Sequence, residues 1–366
     1  MRLISILLSQ WKALPIFIRI GQFIGLLALI LYVIGGFAPL LVEIIYGRYF
    51  YPFIAPKLAL VFGLISWSLT DISLIFVIAL LVLSPFLGLL KALLKKRKRF
   101  SALGSFIGWG CGIWGYVFAL YIILWGFNYL RPSIDFQLNL PEISVERETQ
   151  LLKLIARKTN TLRSSLPGDK KGCVVSSLSI EDADRAIEKY QNEILSKYNF
   201  PTYSGGGSKT RMFSKFWLQR GAAGIYGPFT GERNIVWPVA PASLTTVIAH
   251  ERAHFAGFAK EDTANFWSIL TAWSVPNNEM QYSGWFTFWR LLPKSALITY
   301  ELSTDVKRDF MCLVNFSRVN VGLEAESSKE LYDLWLKSQG VTNGSQSYNE
   351  AIGLLLRYLN QNSSLL

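Results

Sequence analysis

His250 and His254 are the only histidines in this chain of 366 residues. They stand four apart, with Glu251 directly after the first. On a helix, residues four apart share a face, so both imidazoles can offer a nitrogen to one ion. Glu251 can reach the same opening. Beside a metal's bound water it would take that water's proton while the metal lowers the water's pKa. A zinc site that does chemistry uses three protein ligands and keeps one position open. The third ligand is expected just downstream. Gly257 can end the first helix, and "KEDTAN" can begin a second with Glu261 turned back toward the histidines. Asn265, four residues after Glu261, can hydrogen-bond a ligand from behind. Asp262 is the alternative third ligand, about a quarter-turn away on a helix. Lys260 occupies the place of the third histidine in HExxHxxGxxH, which excludes that variant. The expected cofactor is Zn2+. The bland alternative is a surface helix with two histidines.

With both histidines committed to the metal, an oxyanion formed from a carbonyl must be steadied by a tyrosine, an arginine or backbone N–H groups. Tyr282, Tyr300, Arg308 and Tyr348 are candidates that spacing does not rank, and each could equally be a packing or surface residue. "GIYGPFTGERNIVWP" before the motif reads as strands and tight turns. Residues 224–232 either pair with an extended peptide by strand addition or form an ordinary core hairpin. Glu232 either approaches the metal or lies in a surface turn. "SGGGSK", 204–209, reads as a flexible loop, and its glycines lack the spacing of a phosphate-binding loop.

The elements that must carry these residues begin in lipid. The chain is 51% hydrophobic with a mean hydropathy of +0.30, too apolar for an ordinary soluble domain. Apolar runs predict spans at 24–45, 72–90 and 106–127, each near the twenty or so residues a bilayer requires. Pro85 is an expected kink in the second, and Gly108 and Gly112 in the third would let another helix approach closely. "KALLKKRKRF", 91–100, holds six basic residues and no acid, whereas 46–71 carries only Arg48 and Lys57 as basic residues. The basic loop is therefore expected in the cytoplasm, with the N-terminus cytoplasmic and everything after the third span extracytoplasmic. This also accounts for the net charge of +12, so no nucleic acid is expected as partner. Cys173 and Cys312 could pair in an oxidising compartment.

The division expected is a membrane anchor over 1–130 and an outer domain over 131–366. In the latter, "SIEDADRAIEKYQNEILSKY" opens with a capping box at Ser179 and Asp182 and continues as an amphipathic helix. The pattern after Phe266 is mostly helical, broken at Pro276, Pro293 and "GVTNGSQS". The aromatic "YSGWFTFWRLL" is expected to rest on the membrane surface. The fold class is a membrane-anchored α+β protein, with three N-terminal transmembrane helices and a mainly helical domain bearing a small sheet.

With these residues in place the chain resembles an uncharacterised family of bacterial membrane proteins, a domain of unknown function with zinc-peptidase character. The matching features are "WGFNYLRP", "GIYGPFTGE", "HERAHFAGFAKEDTANF", "DVKRDF" and "LKSQGVTNGSQSYNEAIGLLL". The pattern HExxHxxGFxxExxAN falls on His250, Glu251, His254, Gly257, Phe258, Glu261, Ala264 and Asn265. Arg252 departs from the usual aliphatic residue, which brings burial of the helix into question. The resemblance implies a zincin-like domain and names no substrate. The function expected is a membrane-anchored zinc hydrolase acting on a peptide or protein substrate. The alternative is a non-catalytic membrane protein whose structural or sensory metal site binds a cell-envelope partner. The absence of cysteine near the motif favours catalysis. Few ionisable residues in the spans argue against a transporter, and the charges around the motif argue against an intramembrane protease.

Overall fold

The structure is a computed structural model, and it describes residues 8–96, 99–338, 350–362 and 365. Three helices are long and apolar enough to cross a membrane: α1 (Ile16–Gly36), α3 (Thr70–Leu94) and α4 (Arg99–Leu124). The chain is a membrane protein. The first span begins eight residues and ends nine residues earlier than the apolar run suggested. Pro39 disfavours helix at Ala38, so the chain breaks after Gly36. Glu43, expected near the span's end, is instead buried against Arg131. The second and third spans begin earlier than expected, and the third stops at Leu124. The third packs between the other two. A side chain at Gly21 would strike the Gly112 carbonyl, and Gly108 meets Leu14, so the predicted small-residue face is where α1 docks.

The segment between the first two spans, read from sequence as a loop, is largely helical. A short π-helical stretch, Glu43–Phe50, runs into α2 (Tyr51–Gly63). It folds onto the domain: Tyr46, Tyr51, Ala55 and Ala59 share a buried cluster with Trp125, Tyr129, Tyr226 and Phe255.

In the rest of the chain α5 (Val145–Ser164) and α6 (Ile180–Lys197) precede a three-stranded sheet. The Ser179 hydroxyl accepts from the Asp182 N–H, the cap expected for α6. The sheet order is β1 (Ser208–Thr210), β3 (Glu232–Ile235), β2 (Gly224–Gly227). β1 is parallel to β3 and β2 antiparallel to it, with Gly224 opposite Ile235 and Gly227 opposite Glu232. The end of "SGGGSK" is thus a strand, fixed by an ion pair from Lys209 to Glu232. Then come α7 (Leu244–Phe255), α8 (Glu261–Ser274), α9 (Asn278–Leu291), α10 (Thr304–Asn320), α11 (Glu324–Ser338) and α12 (Glu350–Gln361).

The main core lies among α5, α8, α9 and α12. Trp285, Phe286, Phe288 and Trp289 of α9 are fully buried there, so "YSGWFTFWRLL" is core and does not rest on the membrane. Each ring removed from water contributes about 2–3 kcal/mol, more than a surface position would return. Cys173 and Cys312 are joined by a disulfide that ties α10 to the loop after α5.

Candidate metal centre

The motif helix α7 ends as Gly257 suggested. The Gly257 N–H donates to the His254 carbonyl and the Phe258 N–H to the Ala253 carbonyl, with Gly257 left-handed at φ 87°. The turn reverses the chain in a few residues, and α8 begins at Glu261. Glu261 therefore returns to the histidines. Its Oε2 lies 3.1 Å from His250 Nε2 and its Oε1 3.7 Å from His254 Nε2. One ligand atom from each of the three residues falls within 4.8 Å of the others. The two imidazoles stand edge to face with centroids 4.6 Å apart.

The far side of each ring is held. His254 Nδ1 is 2.8 Å from the Phe258 carbonyl, which can only accept, so Nδ1 carries the proton and Nε2 presents its lone pair. His250 Nδ1 is 3.1 Å from Asn265 Oδ1, the contact expected of Asn265. Glu251 is buried. Its Oε1 lies so close to Gly224 of β2 that any side chain at 224 would collide with the carboxylate, and its Oε2 has no partner among the described residues. Burial pushes the Glu251 carboxyl up to about 8. The charges of His250 and Arg211 oppose this, and that of Glu261 adds to it. Burial also pushes His254 down to about 4, which keeps it neutral near pH 7. For His250 the hydrogen bond and charge of Glu261 outweigh burial, and its pKa rises.

Two imidazole nitrogens and one carboxylate, with an orphaned carboxylate oxygen beside them, are a donor set that fits zinc. Asp262 is not part of it; its Oδ1 accepts from the backbone and hydroxyl of Thr263. Glu232 lies neither at the cluster nor in a surface turn. It is buried on Lys209, Thr70 Oγ1 and the Leu69 N–H. None of the described oxyanion candidates reaches the cluster. Tyr282 donates to Asp309, Tyr300 packs on Trp289, and Arg308 pairs with Asp305. Tyr348 lies outside the described residues. Arg252 departs from an aliphatic motif position yet the helix is buried: its guanidinium donates to Glu188, Asn192 and the Tyr203 carbonyl.

Sequence spacing missed what holds the end of α7. A helix leaves its last carbonyls without intrahelical partners. Here Tyr51 reaches the His254 carbonyl at 3.4 Å, Tyr203 the Phe255 carbonyl at 2.7 Å and Arg131 the Gly257 carbonyl at 2.7 Å. Arg131 also grips Glu43 through Nε at 2.6 Å and Nη2 at 3.2 Å. Trp125 packs edge-on to His254, with centroids 5.9 Å apart. The only sequence signal for these was that Trp125 and Arg131 lie in "WGFNYLRP" and Tyr226, which meets Tyr51, in "GIYGPFTGE".

A family model described as a protein of unknown function, DUF3810, matches residues 46–356. The chain belongs to that family. The DUF3810 match starts beyond α1, within the π-helical stretch, and takes in the second and third spans and the whole histidine–glutamate cluster. No curated protein matches the chain, and no solved structure does.

Proposed function

We propose that the protein is a membrane-anchored, zinc-dependent hydrolase of the peptidase type, with its domain on the outer face of the cell membrane. The observation that carries this reading is the convergence of His250, His254 and Glu261 within 4.8 Å, their outer nitrogens already bound, with Glu251 alongside. Zinc held by these three residues would supply Lewis acidity toward a carbonyl oxygen and toward the attacking water. His254 and His250 hold their Nε2 lone pairs inward through the Phe258 carbonyl and Asn265. Glu251 Oε2, unpartnered and buried, would accept a proton from the attacking water once a cation beside it had drawn its carboxyl to the ionised form, and would carry that proton to the leaving nitrogen. β2 lies against Glu251 as an edge strand. Gly224 and Tyr226, alternating with the residues that bond β3, turn their main-chain groups outward, and these have no partner among the described residues. An extended peptide pairing there would pass the cluster. Motif helix, return helix and edge strand together support a zincin-like reading of the domain.

The orientation rests on the basic residues between α3 and α4, expected inside, and on the disulfide, which suits an oxidising compartment. Three ligands with a carboxylate poised beside them favour catalysis over a structural site, which would be closed by a fourth. Metal analysis of the purified full-length protein tests this. Wild type and Glu251→Gln should hold about one zinc and Glu261→Ala far less, and only wild type should cleave a peptide library. Equal zinc in Glu261→Ala would remove the site, and cleavage by Glu251→Gln would remove the base.

A further inference from the structure

The cluster sits at the end of the spans. Leu124 closes α4, and the next residue, Trp125, lies against His254 and, with centroids 4.8 Å apart, against Tyr226 of β2. A proposed metal ligand is therefore one side chain from the end of a membrane helix. The neighbouring span touches the same hairpin. Thr70 Oγ1, in the first turn of α3, lies 3.0 Å from Thr230 Oγ1, 2.7 Å from Glu232 Oε2 and 2.8 Å from Asn234 Nδ2. Gly35, at the end of α1, packs against Phe127 and Leu130. The β2–β3 hairpin is thus held between the ends of α3 and α4, with α1 ending nearby.

The surroundings have the chemistry of a bilayer surface. Tyr46 donates to the Ile123 carbonyl, and Tyr51, Trp125 and Tyr129 join it in a buried aromatic cluster at the ends of the spans. At the foot of α3, Asp71 accepts from the Phe213 N–H and from the Trp217 indole at 2.7 Å. This ties the short helix Ser214–Gln219 to the span, and Phe213 and Phe216 there, with Leu64 and Trp67 just before α3, stay exposed. Exposed apolar side chains beside the entry of a membrane helix suit lipid contact.

We infer that the substrate is a polypeptide anchored in the same bilayer, cut in an extended segment within a few residues of the membrane surface. The inference rests on the hydrolytic reading above and adds the substrate class. A peptide paired with the outer edge of β2 would lie beside Trp125 at the end of α4, where a segment just leaving its own membrane helix is already placed. A soluble peptide must find the same edge without that placement.

The test uses the full chain in phospholipid vesicles, with a photo-crosslinking amino acid at the exposed Ala223, next to β2. A second probe at Phe229 covers local disturbance by the first. Three synthetic peptides carry one reporter sequence: free in solution, behind a membrane helix with a spacer of about 4 residues, or behind one of about 20, roughly 13 and 66 Å when extended. In the Glu251→Gln background the short-spacer peptide should crosslink at least as well as the long one, and about a hundredfold better than the free reporter, because both partners are confined to one surface. Wild type should cut it beside the spacer. Crosslinking only with the long spacer, equal crosslinking of the free reporter, or none with any peptide would overturn the inference. Crosslinking of the short-spacer peptide without cleavage by wild type would leave the membrane-level site standing and overturn the hydrolytic reading instead.

Discussion

At the foot of the second span, Asp71 is buried against Arg211 and Glu232 against Lys209. On α7, Glu251 is buried just as deeply, with one oxygen that nothing among the described residues meets. Elsewhere Asp309 faces Arg163, Asp184 faces Arg233 and Glu43 faces Arg131, so each of these acids has a guanidinium or ammonium beside it. In the motif Glu261 is shared by two imidazoles instead. A buried carboxylate is tolerated when a cation neutralises it. The paired acids are finished structures that fasten span to sheet or helix to loop. The motif acids have no such cation, so a divalent ion would complete the balance there, and perturbed acids of that kind are candidates for functional sites.

The comparison can be broken in several places. The largest effect is expected from Glu251→Gln, which keeps shape and removes the proposed base. Turnover should fall by about 10³-fold, with zinc content unchanged. A variant that still turned over at a tenth of the wild-type rate would move Glu251 into the structural class. Next is the finished class itself. Asp71→Ala leaves Arg211 buried without its partner and should cost about 3 kcal/mol, seen as a lower unfolding midpoint in detergent. Adding Arg211→Met should return most of the loss, and failure to do so would mean that the lost hydrogen bonds to Trp217 and Phe213 dominate. Smaller is Asn265→Ala, expected to weaken zinc binding about 10- to 100-fold by freeing the His250 ring, measured by competition with a chelator.

The smallest effect concerns the chelated protein. Unfolded, Glu251 ionises near its ordinary 4.5; folded, burial holds it protonated up to about 8. Ionisation then favours the unfolded chain, and this contribution to stability is lost as pH rises from 4.5 to 8. Glu251→Gln lacks it. Without metal the variant should match wild type below pH 4.5 and exceed it above pH 8, with the difference growing across that interval. A constant offset across that range would show that Glu251 is not buried as described.

The motif half of this comparison was legible in the sequence because it is local. His250, His254, Gly257, Glu261 and Asn265 lie within sixteen residues. Helix periodicity and one left-handed glycine suffice to bring them together. The finished half was not, because its partners are far apart: Arg211 meets Asp71 across 140 residues and Arg131 meets Glu43 across 88. The same distance hid the clamp on α7 and made 46–71 look like a plain loop. Hydropathy found the three spans but misplaced the first, since an apolar run does not show where Pro39 ends a helix. The α9 aromatics were misread for a related reason: composition alone does not tell a core face from a lipid face.

The guanidinium of Arg131 touches both Glu43, beyond the first span, and the carbonyl of Gly257, in the bend between the two helices that carry His250, His254 and Glu261. Cutting the gene after codon 130 to obtain a tractable fragment would therefore remove a support of that bend. Tyr226 and Phe255 would lose the rings of Tyr51 and Trp125 and face water. Such a fragment would report on a damaged bend, and its inactivity would say nothing about the intact machine.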